Sequence, residues 1–295
     1  MALTDNEKFR HSLSVGRIVN NKTGEAGTVF RVGPGNHVMT NAHVLTTPDM
    51  RDYSMQFTDP AGRVTSVNAE ELVRYSPAPW ERSLRPDIST KQRLDVAVIT
   101  FDPSQVDKMK QFGYLELDAE GAKPGQKIYL PQHGRVEKHH PDGTLETQFH
   151  KTITLSDDAS GRAQPSRVNR VYVDRDIDPR YPRESVDYTA DSASGASGAP
   201  VISADSHKVV ALNFGSGRDT NSGVNMRPIW ELVKGLFSGK AAGSQPDSTN
   251  ATHPSRPGPA IASTNSTDQS GTVWVKSNWE PPRQEWVMSN WRPPK

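Results

Sequence analysis

The chain has no cysteine among its 295 residues. Disulfides, thiolate nucleophiles and cysteine-ligated zinc are excluded, and burial alone must hold the core. Hydrophobic residues are scarce at 33%, aromatic residues make up 7%, and the mean hydropathy is -0.70. Part of the chain is therefore expected to lie outside a packed core, with the apolar residues concentrated elsewhere. No window approaches the roughly 20 apolar residues of a membrane span. The start, MALTDNEKFRHSLSVGRIVN, lacks a basic segment followed by an apolar run, so no secretory signal is read there. Charge of one sign is also missing: 35 Lys and Arg stand against 34 Asp and Glu, a formal net charge of +1. Neither nucleic acid nor a membrane surface is expected as a partner. The expected setting is cytoplasmic, or export by a route that needs no signal.

What is present is a series of short runs rich in Val, Ile, Tyr, Phe and Thr, separated by Gly, Pro, Asn and Asp. SVGRIVN, GTVFRVG, HVMTNAHVL, YSMQFTD, LDVAVITF, QKIYLPQ, TQFHKTITL, SRVNRVYV, APVIS and KVVALNF are read as strands. Many short strands with turn signals between them argue for an all-β barrel or sandwich. One helix is expected over 229–237, where Ile229, Leu232, Val233 and Leu236 share a face. The expected organisation is an N-terminal extension (1–13), one β domain (14–238), a disordered Ser/Thr/Pro/Gly linker (239–273) and a tail (274–295). The tail repeats WVKSNWEPPRQE as WVMSNWRPPK and carries four of the six tryptophans. It is read either as a partly extended sticky segment or as a docking or secretion signal that engages a protein partner, with Trp anchors beside stiff Pro-Pro pairs.

Three segments carry residues suited to one chemistry. VMTNAHVL holds His43, LDVAVITF holds Asp95, and GASGAP holds Ser197. A serine hydroxyl is a poor nucleophile and needs a base to take its proton. Imidazole has the right proton affinity near neutrality, and a carboxylate can fix its tautomer. Gly195 and Ser197 sit where a turn could aim two backbone N–H groups at one point, and glycine permits the necessary backbone.

These segments resemble those of the trypsin-like (chymotrypsin-fold) serine proteases, and of their cysteine-free bacterial members in particular. TNAHV is similar to the family's T-A-A-H strand end, LDVAVITF to its D-(I/V)-A-L strand, and GASGAPVIS to its G-x-S-G-x-P-V elbow. The resemblance spans residues 14–238. It implies two six-stranded antiparallel β-barrels of the chymotrypsin type, a closing C-terminal helix and an active site between the barrels. It further implies that His43 is general base and then acid, that Asp95 orients it, and that Ser197 forms an acyl-enzyme. The N–H groups of Gly195 and Ser197 would make the oxyanion hole. No metal or organic cofactor is implied, and the substrate is a protein or peptide.

The resemblance also implies a specificity pocket. The residue six before the nucleophile, Asp191, would lie at its floor, followed by Ser192, and would select Arg or Lys. Gly215, Gly217 and Gly223 would form its walls. The backbone of Asn213, Phe214 and Gly215 would pair with substrate as an added strand. Ala196 replaces the aspartate that receives a new N-terminus on zymogen cleavage, so that route of activation is not expected. A glutamyl-endopeptidase specificity and a catalytically inactive binding protein on the same scaffold remain as alternatives. An α/β-hydrolase is rejected, because it needs G-x-S-x-G, a helix after the serine and the order Ser, acid, His.

Overall fold

The computed structural model describes residues 5–81, 83–87, 92–139, 145–154, 156–157, 163–164, 166–175, 180, 182–216 and 220–237. The expected linker, the tryptophan-rich tail and Gly217 lie outside these residues. A helix the sequence reading did not anticipate, α1 (Asp5–Leu13), precedes the first strand.

The first six strands are β1 (Val15–Asn20), β2 (Ala26–Arg31), β3 (His37–Thr40), β4 (Tyr53–Thr58), β5 (Val64–Ser76) and β6 (Val96–Phe101). They close into a barrel in the order β1-β2-β3-β6-β5-β4, every pairing antiparallel. A short helix, α2 (Val106–Met109), leads to the second half. There follow β7 (Lys127–His139), β8 (Leu145–Thr154), the two-residue strands β9 (Ser156–Asp157) and β10 (Ala163–Gln164), and β11 (Ser166–Asp174). The last four are β12 (Arg183–Tyr188), β13 (Pro200–Ser203), β14 (Val209–Ser216) and β15 (Asn221–Asn225). Six of these form a second antiparallel ring, β7-β13-β14-β15-β12-β11. It closes where Ser166 and Arg167 of β11 face Ile128 and Lys127 of β7. β8 extends β7 as a long hairpin outside the ring.

The apolar runs show how the halves join. β6 is buried along nearly its whole length. Its alternate residues Ala97, Ile99 and Phe101 point into the first barrel beside Val29, Val38 and Phe57. Val96 and Val98 point the other way, into a seam shared with Phe30, Met39, Leu212 and Val224. A strand packed on both faces reads as a continuous apolar run, as LDVAVITF does. Each fully buried Val, Ile or Phe contributes about 1.5–3 kcal/mol, so the seam holds the two halves together by apolar burial.

Arg31 is buried at the end of β2, and its guanidinium donates to the carbonyls of Met109, Gly113 and Gly35 at 2.7, 2.6 and 3.1 Å. It thereby ties the barrel to the connection that leaves it. The closing helix α3 (Met226–Val233) starts three residues before the expected helix, because Pro228 lies in its first turn, where no N–H is needed. Ile229 and Val233 insert it into the seam.

Candidate active site

His43 lies in a single helical turn at the end of β3, and Asp95 lies immediately before β6, its partner strand. The adjacency of β3 and β6 brings residues 52 positions apart into contact. The Asp95 carboxylate holds His43 at two points. Oδ1 accepts the His43 backbone N–H at 3.0 Å, and Oδ2 lies 2.8 Å from Nδ1. A carboxylate only accepts, so Nδ1 carries the proton and Nε2 is left as a free acceptor. Asp95 is wholly buried and has φ of 55°, one of two non-glycine residues with positive φ among those described. Asn41 donates to the Asp95 carbonyl at 2.9 Å and secures this turn.

Burial opposes a charge on His43. The Asp95 carboxylate outweighs that effect through its charge and hydrogen bond, and Glu81 adds to it, so the imidazole is raised above its ordinary value. Glu81 itself is pushed up to about 7, by burial first and by the Asp95 charge second, with His43 opposing.

Ser197 follows a turn from Ala193 to Ala196, closed by the Ala196 N–H on the Ala193 carbonyl at 2.9 Å. Gly195 sits third in that turn with φ of 92°. That is the glycine position of a type II turn. The carbonyls of Gly195, Ala196 and Ser197 are engaged. Thr28 Oγ1 donates to Gly195 O at 2.8 Å, Asn213 Nδ2 to Ala196 O at 2.9 Å, and the Thr28 N–H to Ser197 O at 2.8 Å. The N–H groups of Gly195 and Ser197 have no acceptor among the described residues. A loop with its carbonyls tied back and two N–H groups free is suited to receive a negatively charged oxygen. Ser197 Oγ makes no hydrogen bond with His43; such contacts are commonly loose before substrate arrives.

The loop is seated against the first barrel with little room. A Cβ on Gly198, where φ is 87°, would lie 2.2 Å from Thr28 O and 2.3 Å from Thr40 Oγ1. Thr28, within the mostly apolar GTVFRV, is the clamp between barrel and loop, and sequence reasoning passed over it. Gln132 also braces this stretch. It sits within β7, where its amide donates to Asp191 O at 3.0 Å and accepts from the Ala193 N–H at 3.1 Å.

Asp191 and Ser192 lie on the stretch leading to the turn, both partly exposed. Ser192 Oγ donates to Asn221 at 2.7 Å, and Asn221 donates to Ala190 O at 2.5 Å. Asn221 thus faces the expected pocket, although nothing in the polar NSGVN singled it out. Of the expected glycine walls, Gly215 faces open space. Gly223 does not. A Cβ there would meet Leu212 O at 2.8 Å, so close strand packing, rather than an open pocket, accounts for that glycine. Asn213 turns its side chain inward, where it also accepts from the buried Tyr188 hydroxyl. Beyond Asn213, the stretch Phe214–Ser216 of β14 has β15 on one side and no described strand on the other. An extended peptide could pair with that edge. Trp80, partly exposed, lies between His43 and Phe214, with ring centroids 6.1 and 6.3 Å away.

Comparison with known proteins gives the family of the fold. A family model described as a trypsin-like peptidase domain matches residues 27–212. A secreted RxLR effector protein (number 73) of Plasmopara viticola is 26% identical over 214 residues, 71% of this chain and 46% of that protein. The chain therefore spans less than half the length of the curated relative it matches. Among solved structures, the HtrA-type protease AlgW with a decapeptide aligns with a TM-score of 0.50 at 12% identity. The alignment covers 79% of this chain and 67% of that one. The active form of the Rv3671c protease from M. tuberculosis aligns with a TM-score of 0.47 at 21% identity, over 81% and 85% of the two chains.

Proposed function

The chain belongs to the trypsin-like peptidase domain family, and on that premise we propose that it is a serine endopeptidase acting through His43, Asp95 and Ser197. The observation that carries the proposal is the two-point grip of Asp95 on His43, facing a serine loop with two unengaged N–H groups. His43 Nε2 takes the Ser197 hydroxyl proton as Oγ attacks the scissile carbonyl. The carbonyl oxygen becomes an oxyanion held by the N–H groups of Gly195 and Ser197, each such donor contributing about 3–4 kcal/mol. Collapse of the tetrahedral species breaks the C–N bond, and His43 gives its proton to the departing amine. Water, deprotonated by the same imidazole, then hydrolyses the acyl-enzyme and restores Ser197.

Asp191 supports a preference for Arg or Lys before the scissile bond, since a carboxylate pairs best with guanidinium or ammonium. Ser192 and Asn221 extend that polar floor, and Gly215 leaves the approach open. The rival reading is a non-catalytic binding scaffold; the missing Ser197–His43 hydrogen bond is what favours it.

The test is a fluorogenic peptide panel differing only in the residue before the scissile bond, with Arg, Lys, Glu, Phe and Ala, run beside Ser197→Ala. Turnover of Arg and Lys peptides that vanishes in the variant is the expected result. Turnover of the Glu peptide alone would remove the Asp191 assignment. No turnover of any peptide would favour the binding scaffold.

A further inference from the structure

Arg183, the first residue of β12, is 2% exposed, and none of its three guanidinium nitrogens has a hydrogen-bond partner among the described residues. Asp174, opposite it on β11, forms an ion pair with it at 3.8 Å, too long for a hydrogen bond, and the charge of Asp95 acts on it as well. Burying a cation with its donors unused is costly. Arg31 shows the alternative within the same chain: equally buried, it spends its donors on three carbonyls.

What surrounds Arg183 explains how it is tolerated. Its guanidinium carbon lies 4.0 Å from the centroid of the Phe214 ring and 5.4 Å from that of Trp80. Two aromatic rings offer their π-electrons to the cation. The two ring centroids are 6.3 Å apart and so stand nearly at right angles about the guanidinium carbon, which means they cannot both lie over its faces. The N–H fork that remains is the part that recognises a carboxylate at two points.

The location gives that fork a use. Trp80 is shared between Arg183 and the ring of His43. Phe214 begins the open edge of β14, directly after the residue whose carbonyl receives the Gly198 N–H. A peptide laid along Phe214–Ser216 advances about 3.3 Å per residue, with side chains alternating between faces. Its residues just before the scissile bond therefore pass over Phe214 and Trp80. Both rings are only partly buried.

We propose that Arg183 is a specificity determinant that takes an acidic side chain, Asp or Glu, two to four residues before the scissile bond. The inference rests on the peptidase reading above and adds a second selection to that made at Asp191. A chain carrying an acidic residue shortly before an Arg or Lys would be the preferred substrate.

The test uses the full chain and peptides ending in the best residue of the panel above, with Glu, Gln, Lys or Ala placed singly at the second, third or fourth position before the bond. At one position, kcat/KM for Glu should exceed that for Gln by roughly tenfold or more, because only the charged side chain satisfies the fork. Arg183→Met should bring that ratio to near one, and Arg183→Lys should leave it intermediate. A wild-type ratio near one at all three positions overturns the proposal, whether or not Arg183→Met folds. So does a ratio unchanged in Arg183→Met. Turnover without discrimination defeats this inference alone. Absence of turnover together with absence of fluorophosphonate labelling of Ser197 defeats the peptidase reading and this inference with it.

Discussion

Glu81 offers a demanding test of the site's electrostatics. It lies in the connection between β5 and β6 next to Trp80, and Arg93 fixes its backbone through the Glu81 carbonyl at 2.8 Å. Burial and the Asp95 charge raise its carboxyl from 4.5 to about 7. In turn its charge helps to hold a proton on His43. The perturbation is Glu81→Gln, which keeps shape and removes charge. Two effects follow, one on stability and one on the pH profile.

For stability, the folded state binds the Glu81 proton more tightly than the unfolded state does. The native carboxylate therefore costs nothing well below 4.5, and its cost is fully present above about 7. A shift of that size is worth roughly 3 kcal/mol, which partial access to solvent reduces to about 1–2 kcal/mol. Urea unfolding should show Glu81→Gln equal to wild type near pH 4 and more stable near pH 8. For activity, loss of the Glu81 charge lowers the His43 pKa. The acid limb of kcat/KM should move to lower pH, and the two groups titrate as a coupled pair in wild type. An acid limb that stays in place or moves up, with a stability difference independent of pH, would refute the reasoning.

Two further outcomes are expected. Asp95→Asn should keep the fold, since asparagine tolerates positive φ, and should lower kcat by about 10⁴-fold through the wrong imidazole tautomer; steady-state kinetics with unchanged KM checks this. Gly198→Ala should destabilise the protein by about 2–5 kcal/mol through positive-φ strain and overlap with Thr28 and Thr40, seen as a lower urea midpoint, because its Cβ has no room between them.

The legible parts of the sequence were those where apolar pattern and local motif coincide. β6 announced itself because both of its faces are buried, and His43, Asp95 and Ser197 stood in short segments whose residue types serve one chemistry. β12 was missed for the opposite reason. Arg183, Ser185 and Asp187 are buried on one of its faces while Val186 and Tyr188 are buried on the other, so a packed face reads as polar in the sequence. β15 is held by asparagines that spend their amides inside the fold, which reads in sequence as a turn. β5 lost its period of two at the register shifts between Ala69 and Glu71 and between Leu72 and Arg74. Thr28, Gln132, Asn221, Glu81 and Arg183 act through partners far away in the chain. No local pattern could have assembled them.

The most direct measurement is reaction of the full chain with a fluorophosphonate probe, followed by peptide mapping of the adduct. Ser197 should carry the label in wild type and lose it in His43→Ala, because only an activated serine reacts. An adduct on Ser192 or Ser194, or no adduct on a folded protein, would contradict the assignment of Ser197 as nucleophile.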